Sequence, residues 1–456
     1  MNISHRLAAN NPHSRYELNV VGAYYNASVP ADIGCDIKAI EDRLERLERV
    51  VIVETGTVPA IVHELKQSVE RFKEKLENVD HLSWLGLYKD ISAGTSLQPF
   101  WDKQSLAGKR TAEHKRRVYE KFLRMSEIQV TDHVREYVRQ PTFDNWQWDE
   151  PEMLVLLRQM FLDLHLTTTF SIELPVLQRW LYEVYCHYNH VPFHNFQHCF
   201  MVTQMMYGLT WLMDLQSHLD DTDLLILLTA AICHDLDHPG YTNAYQINAR
   251  TELALRYNDI SPLENHHCSV AFELLERPEM NIFHNLSTQQ YKVVREGIIK
   301  CILATDMSKH SEILSTYKSL LPSFDFSNKD HKTVLLMVLV KVADISNEVR
   351  PLQVAEPWLD CLLQEFFMQS DVEKLEGLPV APFMDREKVT KPSSQVGFIK
   401  FVLLPLFEAL GDQFPAITED IILPVRHALQ YYSDMQNALD EEKKRKASLE
   451  AKNNVK

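Results

Sequence analysis

An all-α protein is predicted, on two observations. From about residue 141 onward apolar and aromatic residues recur at spacings of three and four, with little of the two-residue alternation that marks half-buried strands. Helix-start signatures also recur. Asp220-Asp221-Thr222-Asp223 precedes the apolar run LLILLTAAIC, and Ser261-Pro262-Leu263-Glu264 reads as a capping box with proline at the first helical position.

The elements follow in chain order. Ile37, Ile40, Leu44, Leu47 and Val51, then Val62, Leu65, Val69, Phe72, Leu76 and Val79, step as a/d heptads, interrupted by Gly56 and Pro59. They predict a dimerising coiled coil, hence a homodimer, with an intramolecular helical hairpin as the alternative. Residues 103–124 carry eight basic and two acidic side chains, the pattern of a solvated helix face or an interaction patch. The expected organisation is an N-terminal helical region over 1–140, a helical body over 141–440 and a charged tail over 441–456. Within the body, 370–395 holds Gly377, Pro379, Pro382 and Pro392 and is expected to form a long ordered loop or lid.

Composition narrows the function. With 456 residues, 45% hydrophobic and 24% charged, the chain has the mix of a globular protein with a large core. A formal net charge of −16 repels phosphate polymers and anionic lipid, so no nucleic-acid binding is expected. The 12 glycines nowhere form GxGxxG or GxxxxGK, which sets aside ordinary Rossmann and P-loop enzymes. Apolar runs such as 224–233 fall short of the ~20 residues of a membrane span, so none is expected. Seven widely spaced cysteines without CxxC fit a reducing compartment, and a cytoplasmic protein is expected.

Histidine carries the chemistry. Eleven of the 20 lie between His187 and His310, beside aspartates and within apolar stretches, and burying so many ionisable groups requires a reason. His194 and His198, four apart, are expected on one helical face, as ligands or as ordinary core histidines. His234-Asp235-Leu236-Asp237-His238-Pro239-Gly240 closes a buried helix with nitrogen and oxygen donors, a set that suits zinc or iron, with a bridging carboxylate for a harder ion. Asp344, ending VLLMVLVKVAD, is either a cap or a distal ligand, and Glu264 either a cap or a polar group near a metal. No GxSxG occurs and no cysteine sits in a nucleophile motif. Two metals sharing one hydroxide are then the better nucleophile, and the expected class is phosphohydrolase.

The segments FHNFQHCF, HDLDHPGYTN, SPLENHHC, ILATDMSKH and ADISNEVRP occur in this order between residues 193 and 351. His198, His234-Asp235 and Asp344 resemble the HD-domain phosphohydrolases. The fuller pattern resembles the catalytic domain of class I cyclic nucleotide phosphodiesterases, and EGLPVAPFMDREKVTK with the 229–268 stretch is most similar to family nine, the high-affinity cGMP-specific type. The resemblance implies a compact multi-helix HD-type domain that hydrolyses cGMP to 5′-GMP. It implies Zn2+ on His198, His234, Asp235 and Asp344, and Mg2+ or Mn2+ sharing Asp235 through waters held by His238, Glu264 and Thr305. His194 carries over as general acid. Gln395 and Phe398 carry over as the purine clamp, with Phe383, Leu362, Met307 and Ile345 as walls and Glu348 as the group that orients the Gln395 amide. Phe366 and Ser394 stand where family nine leads one to expect Tyr and Ala. The alternatives are a dual or cAMP-preferring enzyme, an HD-type dNTP hydrolase, which would need a basic cluster, and a catalytically silent coiled-coil scaffold.

Overall fold

The computed structural model describes residues 110–453, with side chains to residue 446, so the heptad runs and the end of the tail lie outside the described residues. The described part is helical, with no β-strand among the described residues. Three helices form its centre, Phe196–Leu212, Asp221–Cys233 and Lys329–Asp344, and they pack on one another. The first is buried from Phe196 to Thr210 apart from Gln197, and the second from Asp223 to Cys233 without a break. A helix apolar on every side has no solvent face to offer and so belongs in the middle of a helical body. Their ends converge on one point: His198 lies in the first turn of one, His234 and Asp235 follow the last residue of the second, and Asp344 ends the third.

Outer helices close around this centre. Ala112–Ser126 and Asp132–Val138, upstream of the division expected at residue 141, bury Val118, Phe122 and Val138 in the same core as the rest. Glu150–Asp163 starts with a capping box in which Asp149 and Glu152 exchange bonds with each other's backbone amides.

Two helix signals turn out differently. Asp220 and Asp223 form their capping box. Ser261 does not cap its helix: it stands at φ 42, in the left-handed region, and its hydroxyl donates to Asp306 at 2.7 Å. The helix start is held instead by Asn243, whose Oδ1 accepts from the Leu263 amide at 3.0 Å.

The loop expected over 370–395 is shorter. Helix Leu352–Glu376 continues to Gly377, which takes the left-handed cap conformation at φ 69, and helix Lys391–Phe398 already starts with Pro392 in its first turn. Those two residues act as a stop and a start, leaving 377–390 with one short 3-10 turn at Pro382–Met384.

Two turns widen to π geometry, Ile399–Leu403 and Thr418–Ile422, and each lies just ahead of a Leu-Pro pair, Leu404-Pro405 and Leu423-Pro424. Proline has no amide to donate and its ring collides with the carbonyl four residues back, and the wider turn relieves both conflicts. The continuous helical stretch Lys391–Gln413 is long and apolar enough to cross a membrane, but Gln395, Ile399, Leu403, Leu406, Phe407 and Leu410 are buried in this body, as in a core helix.

Candidate active site

His198 Nε2 and His234 Nε2 stand 3.3 Å apart. Asp235 Oδ2 lies 3.4 Å from the first and 3.1 Å from the second, and Asp344 Oδ1 lies 3.3 and 3.4 Å from them. Corners separated by such distances leave a central point about 2.0 Å from each if tetrahedral, the length of zinc bonds to imidazole and carboxylate. The donor set therefore fits a divalent metal. His234 Nδ1 faces the Ala231 carbonyl at 2.8 Å, which places that ring proton away from the cluster and leaves Nε2 as a lone-pair donor.

The electrostatics agree. Burial disfavours charge on His234, yet the Asp235 and Asp344 carboxylates hold its pKa well above the ordinary value. Burial likewise raises the two carboxyls, but Asp235 is drawn well below its usual range by His234 and His198, and Asp344 by His198 and His234. The two buried carboxylates pull a proton onto His234, and a cation in their midst would displace that proton.

His194 is not on the helix with His198. Asn195 takes an extended backbone and caps helix Phe196–Leu212, its side chain accepting from the Gln197 and His198 amides, so His194 sits one residue outside on the preceding turn. Its ring still reaches the cluster, with its centroid 5.7 Å from that of His198 and 4.0 Å, stacked, from that of His238. Its Nδ1 is bonded to the buried Glu365, which also accepts from the backbone amides of Phe193 at 2.8 Å and His194 at 3.2 Å. Burial alone would lower the His194 pKa, but the Glu365 carboxylate raises it to about 9.

His238 lies beside Asp235, and Glu264 is close enough to feel the charge of that carboxylate. Burial, reinforced by the positive charge on His194, holds His238 well below its ordinary pKa, and its Nδ1 accepts from the Gly240 amide at 3.0 Å. Gly240 stands at φ 80 with Val191 3.1 Å from where a Cβ would be, which requires glycine there. Burial pushes Glu264 up to about 7, against the Asn243 amide that donates to both its oxygens at 3.2 and 2.9 Å. The Thr305 hydroxyl donates to the Ile302 carbonyl at 2.8 Å. His267 joins Asp235 and His238 as a third possible donor, its Nδ1 2.6 Å from the Leu236 carbonyl.

The expected nucleotide residues are less tightly organised. Gln395 is buried, Ile345 and Phe398 pack against the main core, and Leu362 packs against Phe193, Met201, Val354 and Trp358. Phe383 is 57% exposed and Met307 42%. The expected hydrogen bond between Glu348 and Gln395 is not among those of the described residues. Glu348 lies in the 3-10 turn Ser346–Val349, its carboxyl faces the Tyr432 hydroxyl, and burial pushes it up to about 7. Phe366 meets Phe383 edge to face at 5.9 Å, and the Ser394 hydroxyl is spent on the Lys391 carbonyl at 2.8 Å.

Glu365 and Asn243 escaped the sequence reading of the site, whereas His267 follows Glu264 in the run Asn265-His266-His267 that the sequence places near a metal. Glu365 had a signal: Glu365 and Gln369 stand four apart within the apolar run LLQEFFMQ, Glu373 follows four residues later, and all three are buried. A polar stripe at helical spacing inside an apolar stretch marks a face turned toward a site.

Comparison with known proteins follows this geometry. Residues 193–422 match the family described as 3′5′-cyclic nucleotide phosphodiesterase. The chain is 56% identical over 370 residues to a high affinity cGMP-specific 3′,5′-cyclic phosphodiesterase 9A of Drosophila melanogaster, a match covering 81% of this chain and 24% of that one. It is 46% identical over 422 residues to the Mus musculus protein of the same name, covering 92% of this chain and 74% of the relative. Among solved structures it is similar to the phosphodiesterase domain of the RhoPDE fusion protein from the choanoflagellate Salpingoeca rosetta, with a TM-score of 0.64 and 33% identity, covering 67% of this chain and 97% of that one.

Proposed function

The chain belongs to the 3′5′-cyclic nucleotide phosphodiesterase family, and from that premise we propose that it hydrolyses 3′,5′-cyclic GMP to 5′-GMP, ending a cGMP signal. The observation that carries the reading is the convergence of His198, His234, Asp235 and Asp344 on one point beside His194. In this reading His198, His234, Asp235 and Asp344 would hold Zn2+, and Asp235 with His238, Glu264 and Thr305 would hold a second ion, Mg2+ or Mn2+. Bound divalent ions would supply Lewis acidity, lowering the pKa of a water and neutralising phosphate oxygens during in-line displacement. Glu365 holds His194 at Nδ1 and keeps the imidazole protonated, so Nε2 carries the proton. As a water-derived oxygen bonds to phosphorus and the bond from phosphorus to O3′ breaks, that proton passes to O3′ and the product leaves as 5′-phosphate with a free 3′-hydroxyl. The Gln395 amide pairs with the base edge and the Phe398 ring stacks on it.

Hydrolysis of cGMP and cAMP side by side, with and without chelator, tests the proposal. Metal-dependent turnover with at least about tenfold higher kcat/KM for cGMP supports it, tenfold being what ~1.4 kcal/mol of unpaired polar group gives. Equal values favour a dual-specificity enzyme, a second reading supported by the lack of any side-chain hydrogen bond to the Gln395 amide among the described residues. Self-association through residues 37–79 and a cytoplasmic location complete the proposal. The first is checked by light scattering on a chain lacking residues 30–80, and the second by fractionation.

A further inference from the structure

The cleft contains a buried lysine that the proposed reaction does not use. Lys341 is 1% exposed and precedes Asp344 by one helical turn. Its Nζ donates to the Ala304 carbonyl at 2.9 Å and lies 3.8 Å from the Met307 sulfur. Ala304 closes helix Thr288–Leu303, so the ammonium caps the negative end of that helix from inside. A second lysine, Lys309, caps the same end from the partly exposed side, donating to the Leu303 carbonyl at 3.2 Å. Burial works against the Lys341 charge, and the carboxylates of Asp344, Asp306 and Glu264 favour it.

The turn so anchored carries Thr305, Asp306 and Met307. Asp306 in turn accepts from the Ser261 hydroxyl at 2.7 Å and so holds the left-handed residue from which the Glu264 helix starts. A straight-chain apolar residue would fill the same space without a buried charge. A lysine there joins the helix that ends in Asp344 to the turn that presents Thr305 and, through Asp306 and Ser261, to Glu264.

We propose that Lys341 is a positioning residue for the second metal ion, setting Thr305 and Glu264 at the right distance from Asp235 and Asp344. This rests on the two-ion reading of the site. The sign of the effect separates the possible roles. Loss of a nearby positive charge by itself would tighten a cation, whereas loss of the anchor loosens it.

The test uses the full-length zinc-loaded chain with Lys341→Met, Lys341→Gln and, as control, Lys309→Met. Zinc content is measured, Mn2+ binding is followed by electron paramagnetic resonance, and KM and kcat for cGMP are determined. Expected are unchanged zinc, Mn2+ affinity lowered about tenfold or more in Lys341→Met, partial recovery in Lys341→Gln, which keeps a donor, and Mn2+ affinity within about twofold of wild type in Lys309→Met. Should Lys341→Met not fold, Lys341→Gln carries the test, with weakened Mn2+ binding expected. Unchanged or tighter Mn2+ binding in the Lys341 variants, or equal weakening in Lys309→Met, overturns the positioning role. A wild-type chain that binds zinc but no Mn2+ brings down the two-ion reading and this inference together.

Discussion

The candidate metal cluster and the residues proposed to hold the nucleotide are organised differently. His198, His234 and Asp235 are buried, Asp344 is nearly so, and each imidazole Nε2 stands within 3.4 Å of the other and of an oxygen of both carboxylates. Phe383 and Met307 are largely in solvent, and the amide of Gln395 has no side-chain partner among the described residues. If the proposed function holds, the metal centre is assembled before substrate arrives, while part of the proposed base-reading surface stands open to solvent. Substitutions in the first set are expected to act on metal content and kcat, those in the second on KM and base preference.

The largest expected effect is His234→Ala. Removing one corner of the cluster leaves two carboxylates facing each other with less counter-charge, so bound zinc should fall close to zero and cGMP hydrolysis below detection. Zinc retained at full stoichiometry would break the comparison at its firmest point. Next comes His194→Ala, expected to lower kcat by about 10² to 10⁴-fold while zinc stays bound, because His194 lies outside the ligand set. Metal analysis beside steady-state kinetics checks both.

Glu365→Gln sharpens the distinction between holding a group and reacting with substrate. The carboxylate raises the His194 pKa to about 9, so the wild-type acid stays protonated up to that pH. Without the charge the pKa falls, and the alkaline limb of the kcat profile should move to lower pH with kcat reduced about tenfold, one pKa unit of interaction. An unmoved alkaline limb would mean that Glu365 only packs.

On the nucleotide side, Gln395→Ala should raise KM for cGMP about tenfold with little change in kcat. The smallest effect is expected for Glu348→Gln, less than about threefold on the ratio of cGMP to cAMP kcat/KM, since Glu348 faces Tyr432 rather than Gln395. A collapse of selectivity in that variant would show that Glu348 swings to Gln395 when nucleotide binds.

What could be read from the sequence follows the same division. His234-Asp235 and Asp344 were visible because polar residues at the ends of strongly apolar helices have few structural reasons to be there. His194 and Ser261 were misplaced because a cap depends on backbone angles: Asn195 caps the helix and leaves His194 one residue outside it, and Ser261 takes a left-handed conformation that hands its capping role to Asn243, 18 residues upstream. Glu348 and Gln395 failed as a pair because a hydrogen bond between residues far apart in sequence depends on which way each turn points.

The π turn at Ile399–Leu403 separates two phases along what is otherwise one continuous rod. Upstream lie Gln395 and Phe398, the residues proposed to hold the base; downstream, Leu404, Leu406, Phe407 and Leu410 are buried in the core. An ordinary helix would lock those two patterns to a single periodicity, so that rotating one would rotate the other. The extra residue per turn works as a phase slip, and Pro405 keeps it from annealing out. Deleting one residue from 399–403 would therefore turn Gln395 and Phe398 relative to the buried residues of 404–410 by about 100°, a quarter turn and more, without altering the composition of either segment.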